Sequence, residues 1–84
     1  MPEEKVGVVK DYFAKIGVAG IDITGKLKVG DTIHVKGHTT DFEQVVDSMQ
    51  IERERVEEAK SGDAIGIKVS DRCRDGDTVY KVTP

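Results

Sequence analysis

Tryptophan is absent, and only two tyrosines and two phenylalanines occur among 84 residues. The core must therefore be aliphatic, and a chain this short buries only about 60–65% of the surface its unfolded form exposes. That is one domain, with no room for a catalytic domain and its lid. There is a single cysteine, Cys73, so no internal disulfide can form. That usage points to a reducing, cytoplasmic setting. No apolar run approaches the roughly 18 residues of a membrane span. The opening Met1-Pro2-Glu3-Glu4-Lys5 is acidic and lacks the apolar stretch of a signal peptide, so no membrane is expected. No G-x-x-x-x-G-K-[ST] phosphate loop is present, which argues against nucleotide hydrolysis. Positive charge is also lacking. The net charge is −3, with six lysines against five acids in residues 1–40, and seven basic residues against eleven acids in residues 41–84. Strong binding to nucleic acid needs many basic phosphate contacts, so only a local basic patch could supply it.

What the chain does contain is β-branched residues and nine glycines. Val6 to Phe13 reads as a first strand and Ile16 to Ile23 as a second extended run. Thr32 to Lys36 alternates, with Ile33 and Val35 on one face and His34 turned outward. Phe42 to Ile51 reads as a longer strand on which Val45, Met49 and Ile51 share one parity. The charged run Glu52 to Lys60 reads as the arm of a hairpin in preference to a short helix. Ala64 to Val69 and Thr78 to Val82 complete the set. Gly30-Asp31, Gly62-Asp63 and Gly76-Asp77 each precede a strand. Their uneven spacing is no repeat, and the shared chemistry is a turn. Glycine supplies a positive φ, and the Asp carboxylate bonds nearby backbone amides. Six or seven short strands joined this way predict an all-β fold, a small closed six- to seven-stranded antiparallel β-barrel. Closure would also remove the sheet's exposed edges. Residues 1–84 form one domain, with 1–5 and 83–84 expected as flexible ends.

Four stretches resemble a known family. Gly25-Lys26-Leu27-Lys28-Val29-Gly30-Asp31-Thr32-Ile33 is similar to the G-x-L-x-x-G-D-x-[IV] stretch in the second domain of elongation factor Tu-type translational GTPases. Val45 to Gln50 resembles that domain's V-x-S-[IM]-[QE] strand. Val56 to Gly66 resembles its [VL]-x-[EK]-A-x-x-G-[DE]-N-V-G segment, and Arg74 to Val79 its closing R-x-G-[DQN]-x-[VL]. The motifs keep family order across residues 6–82. The stretch Lys36 to Gln44 resembles stand-alone translation elongation factor-like proteins. It also resembles the C-terminal barrel of collagenase-like peptidases, which are associated with RNA modification. The resemblance implies a barrel and a translation or RNA neighbourhood. Two departures bear on the family's tRNA-end pocket. The turn between Phe13 and Gly20 is shorter, and the motif's Asn is Ala64, which has no amide to offer a ligand.

Chemistry-bearing residues are few. His34 and His38, four residues apart on an extended strand, lie roughly 13 Å apart at about 3.3 Å per residue. One metal ion cannot bridge them, because Zn–N bonds are about 2.0 Å. Asp71 to Gly76 fails as a calcium loop, with Cys73 at the third position and Val82 at the twelfth. Cys73 is flanked by Arg72 and Arg74, which would favour a thiolate, but no histidine adjoins it as a base. Glu52, Glu54, Glu57 and Glu58 read as a solvated face.

The remaining candidate is a binding surface. Lys36, His38, Thr39, Thr40 and Phe42 would offer charge, hydroxyls and a stacking ring on one turn. Arg53 with Arg55, and Arg72 with Arg74, share parity and would point the same way on extended arms. The expectation is a non-catalytic binding module without cofactor or metal. Its partner would be RNA, the ribosome or another translation component. The alternative is a protein-interaction subunit acting in trans with a larger collagenase-like or RNA-modifying protein.

Overall fold

The computed structural model describes residues 3–83. All of its regular structure is extended, in ten strands: β1 (Glu3–Phe13), β2 (Val18–Ile23), β3 (Lys26–Lys28), β4 (Thr32–Lys36), β5 (Asp41–Val45), β6 (Met49–Ile51), β7 (Glu54–Val56), β8 (Glu58–Lys60), β9 (Ala64–Lys68) and β10 (Thr78–Val82). Among the described residues there is no helix, hence none long and apolar enough to cross a membrane. The expected flexibility of Met1, Pro2 and Pro84 lies outside the described residues. From Glu3 onward the chain is already laddered, with Glu3, Glu4 and Lys5 opposite Val82, Lys81 and Tyr80.

Eight strands form one antiparallel sheet in the order β5-β4-β10-β1-β2-β9-β6-β7, and β3 pairs with β8 as a separate ribbon. The hydrogen-bonded order is open, with no ladder joining β5 to β7. This differs from the closed six- to seven-stranded barrel expected. The sheet nevertheless curls, because β5 reaches the end of β9 through a side chain. Gln44 Nε2 donates to the Lys68 carbonyl at 2.9 Å, and the Ser70 N–H donates to Gln44 Oε1 at 2.7 Å. The contact between β5 and the end of β9 is thus a side-chain clasp.

The strand expected from Phe42 to Ile51 is broken at 46–48, for a physical reason. Val46 and Met49 are both fully buried three residues apart, while Val45, of the same parity as Met49, is half exposed, so a period of two cannot run through 46–49. The Val46 N–H donates to the Asp31 carbonyl, and its own carbonyl accepts the Gly30 N–H, both at 2.9 Å. The chain then leaves β4 and joins β9 through β6. The core is aliphatic, drawn from alternate residues: Ala19, Ile21 and Ile23 of β2, Ile33 and Val35 of β4, Ile65 and Ile67 of β9. Truncating such a buried Ile to Ala costs about 2–5 kcal/mol.

The three Gly-Asp corners fold alike. Gly30, Gly62 and Gly76 have φ of 98°, 98° and 94°. Each following Asp N–H donates to the carbonyl three residues back, and each Asp carboxylate accepts that same residue's N–H, at 3.0, 2.9 and 2.8 Å. Glycine at the third position is what this turn demands.

Candidate functional site

The third corner builds the candidate site. Asp77 is buried, with its Oδ2 held by the Arg74 N–H. Its carboxylate packs against Gly37, where a Cβ would lie 2.5 Å from Asp77 Cγ. The Gly37 N–H donates to the Thr40 carbonyl at 2.7 Å, closing the β4–β5 turn. The hairpin turn and the loop of residues 69–77 are thereby locked together.

Between them lies a cavity of about 340 Å³. Thr39, Thr40 and Phe42 line one wall, and Arg72 and Arg74 the other, with Asp41 and Asp71 also present. The structure therefore brings together five of the nine residues the sequence singled out. Among the described residues neither guanidinium forms an ion pair or a side-chain hydrogen bond, including with Asp71. Phe42 is half-buried against the core, with part of its ring left to the cavity. Lys36 and His38 are exposed at the turn and do not line it.

Arg53 and Arg55 are not in the cavity either. Their shared direction rested on an extended arm, but Arg53 sits in the tight turn between β6 and β7 with φ of 69°. Arg72 and Arg74 also lie outside any strand. They meet at the cavity through loop geometry that parity does not describe.

Cys73 lies buried beneath this loop, and its thiol is pushed up to about 11. Burial is the main cause, and the negative Asp77 and Asp71 add to it. The flanking arginines are exposed and do not offset these effects, so the thiol stays protonated at neutral pH. Among the described residues no three metal-ligating side chains gather.

Two features went unforeseen. His34, expected to face outward, has a side chain only 13% exposed. Its Nδ1 lies 2.7 Å from Glu3 Oε2 and its Nε2 2.5 Å from Asp41 Oδ1. Two carboxylates on the two ring nitrogens favour the imidazolium. The hydrogen bond to Asp41 raises the pKa above the usual 6.5, burial opposes this, and Glu3 raises it further. Asp41 lies across the β4–β5 hairpin, but Glu3 is 31 residues away, so only the strand pairing reveals the triad. The second feature is a larger cavity of about 540 Å³ beside the β3–β8 ribbon, lined by four lysines together with Asp31, Glu58 and Asp63. Its only sequence signal was the outward alternation of Lys26-Leu27-Lys28 and Glu58-Ala59-Lys60.

No protein-family profile matches the chain. Over 77 residues, 90% of its length, it is 44% identical to an uncharacterized protease of Methanocaldococcus jannaschii. Over 78 residues it is 37% identical to a collagenase of Porphyromonas gingivalis. It spans 19% and 22% of those two proteins, about a fifth of each. Among solved structures it is similar to the C-terminal domain of a Geobacillus thermoleovorans putative U32 peptidase. A selenomethionine variant of that domain superposes with a TM-score of 0.89 at 21% identity, covering 93% of this chain and 99% of the domain. A second structure of the domain gives 0.90 at 20% identity. That likeness establishes the fold. The resemblance to collagenase-like peptidases is therefore found, whereas these relatives lend no support to placement among translation factor-like proteins.

Proposed function

We propose that the chain is a non-catalytic module that docks onto a larger collagenase-like protein, acting in trans as the matching segment of its relatives acts in cis. One observation carries the reading: the chain matches about a fifth of much longer proteins almost end to end, at 44% and 37% identity. What such a segment offers is its surface. The cavity between the β4–β5 turn and the 69–77 loop is the docking candidate, because Arg72 and Arg74 stand unpaired beside Phe42. Arginine and aromatic side chains are the groups that dominate protein interfaces. The two unpaired guanidiniums suit a partner carboxylate, which Arg binds with two parallel hydrogen bonds, while Asp41 is taken up by His34 and Asp71 by the Arg72 N–H.

The barrel reading of the fold rests on the same region. The Gln44 clasp bridges β5 to Lys68 and Ser70, which supports a barrel sealed by side chains along one seam. The buried, protonated Cys73 and the dispersed acids support the absence of catalysis.

The test is binding in trans. The chain is titrated, after nuclease treatment, into a collagenase-like protein of the same organism from which the matching segment has been deleted. A one-to-one complex is expected, weakened at least about tenfold by the Arg72→Glu/Arg74→Glu double variant, since truncating a buried charge contact costs about 2 kcal/mol or more. A complex that disappears with nuclease would return the chain to RNA binding, and no complex at all would end the docking proposal.

A further inference from the structure

The ribbon cavity carries an inference independent of the docking site. Lys26 of β3 lies directly opposite Lys60 of β8, and Lys28 opposite Glu58. Like charges placed directly across a ladder repel. The ribbon keeps this arrangement while Leu27 and Ala59, between them, are buried against the core. Lys81 of β10 adds a fourth ammonium to the same cavity.

The acids nearby offset this charge in part but form no ion pair with these lysines. Asp31 and Asp63 also line the cavity, where their carboxylates accept the backbone N–H groups of Lys28 and Lys60 and sit out of ion-pair reach of the ammonium groups. Glu58 faces Lys28 without reaching ion-pair distance. Among the described residues the only lysine in an ion pair is Lys10, with Asp22. Four lysines and three carboxylates thus line a concave space, a formal balance of +1, and none of these lysines is in direct ion-pair contact.

We infer that this groove binds phosphate groups. Lysine is a compact point charge with three donors, suited to the tetrahedral oxygens of phosphate. A planar carboxylate is better matched by the guanidinium fork, and no arginine lines this groove. The shared chemistry is the phosphate, either on a small phosphorylated molecule or along a phosphodiester backbone.

Amide chemical-shift mapping of the whole chain tests this with three probes: pyrophosphate, a short oligouridylate and polyglutamate. Saturable shifts are expected at residues 26–28, 58–60 and 81 with a phosphate probe. Tighter binding of oligouridylate, with a log–log salt slope of roughly −2 to −3 for about four contacts, identifies the backbone source. Tighter binding of pyrophosphate identifies the small-molecule source. The Lys26→Gln/Lys60→Gln double variant should weaken binding about tenfold by removing half of the contacts. Arg72→Gln/Arg74→Gln should leave it unchanged, which separates this site from the docking cavity. Should the double variant lose its dispersed spectrum, Lys81→Gln alone supplies the comparison. Shifts spread equally over Lys5, Lys10 and Lys15, polyglutamate binding as tightly as either phosphate probe, or no saturable shift would each overturn the inference.

Discussion

At the scale of single residues, contacts that look incidental in the sequence fix the candidate site. Gly37 is present because Asp77 occupies the space a side chain would need, and Asp77 cannot easily retreat while it is buried and bonded to the Arg74 N–H. Gly37→Ala should therefore lower stability by about 1–3 kcal/mol, the usual cost of overpacking, as read from urea unfolding. A neutral result would mean that the carboxylate swings away freely and that the two loops are not locked. His34 gives a pH test with a definite sign. Its pKa is raised in the folded chain, chiefly by the Asp41 hydrogen bond. The stabilisation is thus fully present below 6.5 and is lost as pH rises through the folded value. Wild type should exceed His34→Gln in stability at pH 6, and the gap should close toward pH 9. A gap that stays constant across this range would show that His34 is not charged in the fold. The paired carboxylates were invisible beforehand because Glu3 lies two strands away from His34, across β10, in the sheet.

At the scale of elements, the hairpin of β6 and β7 carries visible strain. Its two turn residues, Glu52 and Arg53, have φ of 51° and 69°. A two-residue turn with both φ positive strongly prefers Asn-Gly, because most L-residues resist that conformation. Replacing Glu52-Arg53 with Asn-Gly should stabilise the chain by about 1 kcal/mol, measured as a rise in the denaturant midpoint. A fall instead would mean that the two native side chains make compensating contacts. This same turn shows where sequence reading reaches its limit. A hairpin was legible in the charged run, but its turn was not, since Glu-Arg carries none of the usual turn chemistry. The Gly-Asp corners were fully legible, because their residues are dictated by local backbone geometry. The β3–β8 ribbon was not, since three-residue strands are too short to display a period.

At the scale of the whole molecule, the all-β class followed from composition and turn spacing, while the open hydrogen-bonded order did not. The break at 46–48 depends on Val46 reaching the β3–β4 corner, a long-range contact with no local mark. The docking cavity was half legible for the same reason. Thr39, Thr40 and Phe42 are neighbours in sequence, but Arg72 and Arg74 join them only through the lock between Gly37 and Asp77. This one face is the surface proposed to meet a larger protein. Hydrogen exchange of the chain, free and in complex with a collagenase-like protein lacking the matching segment, tests it most directly. Slowed exchange is expected, concentrated at residues 37–42 and 70–77. Unchanged exchange there, or protection confined to the opposite sheet edge at β7, would contradict it.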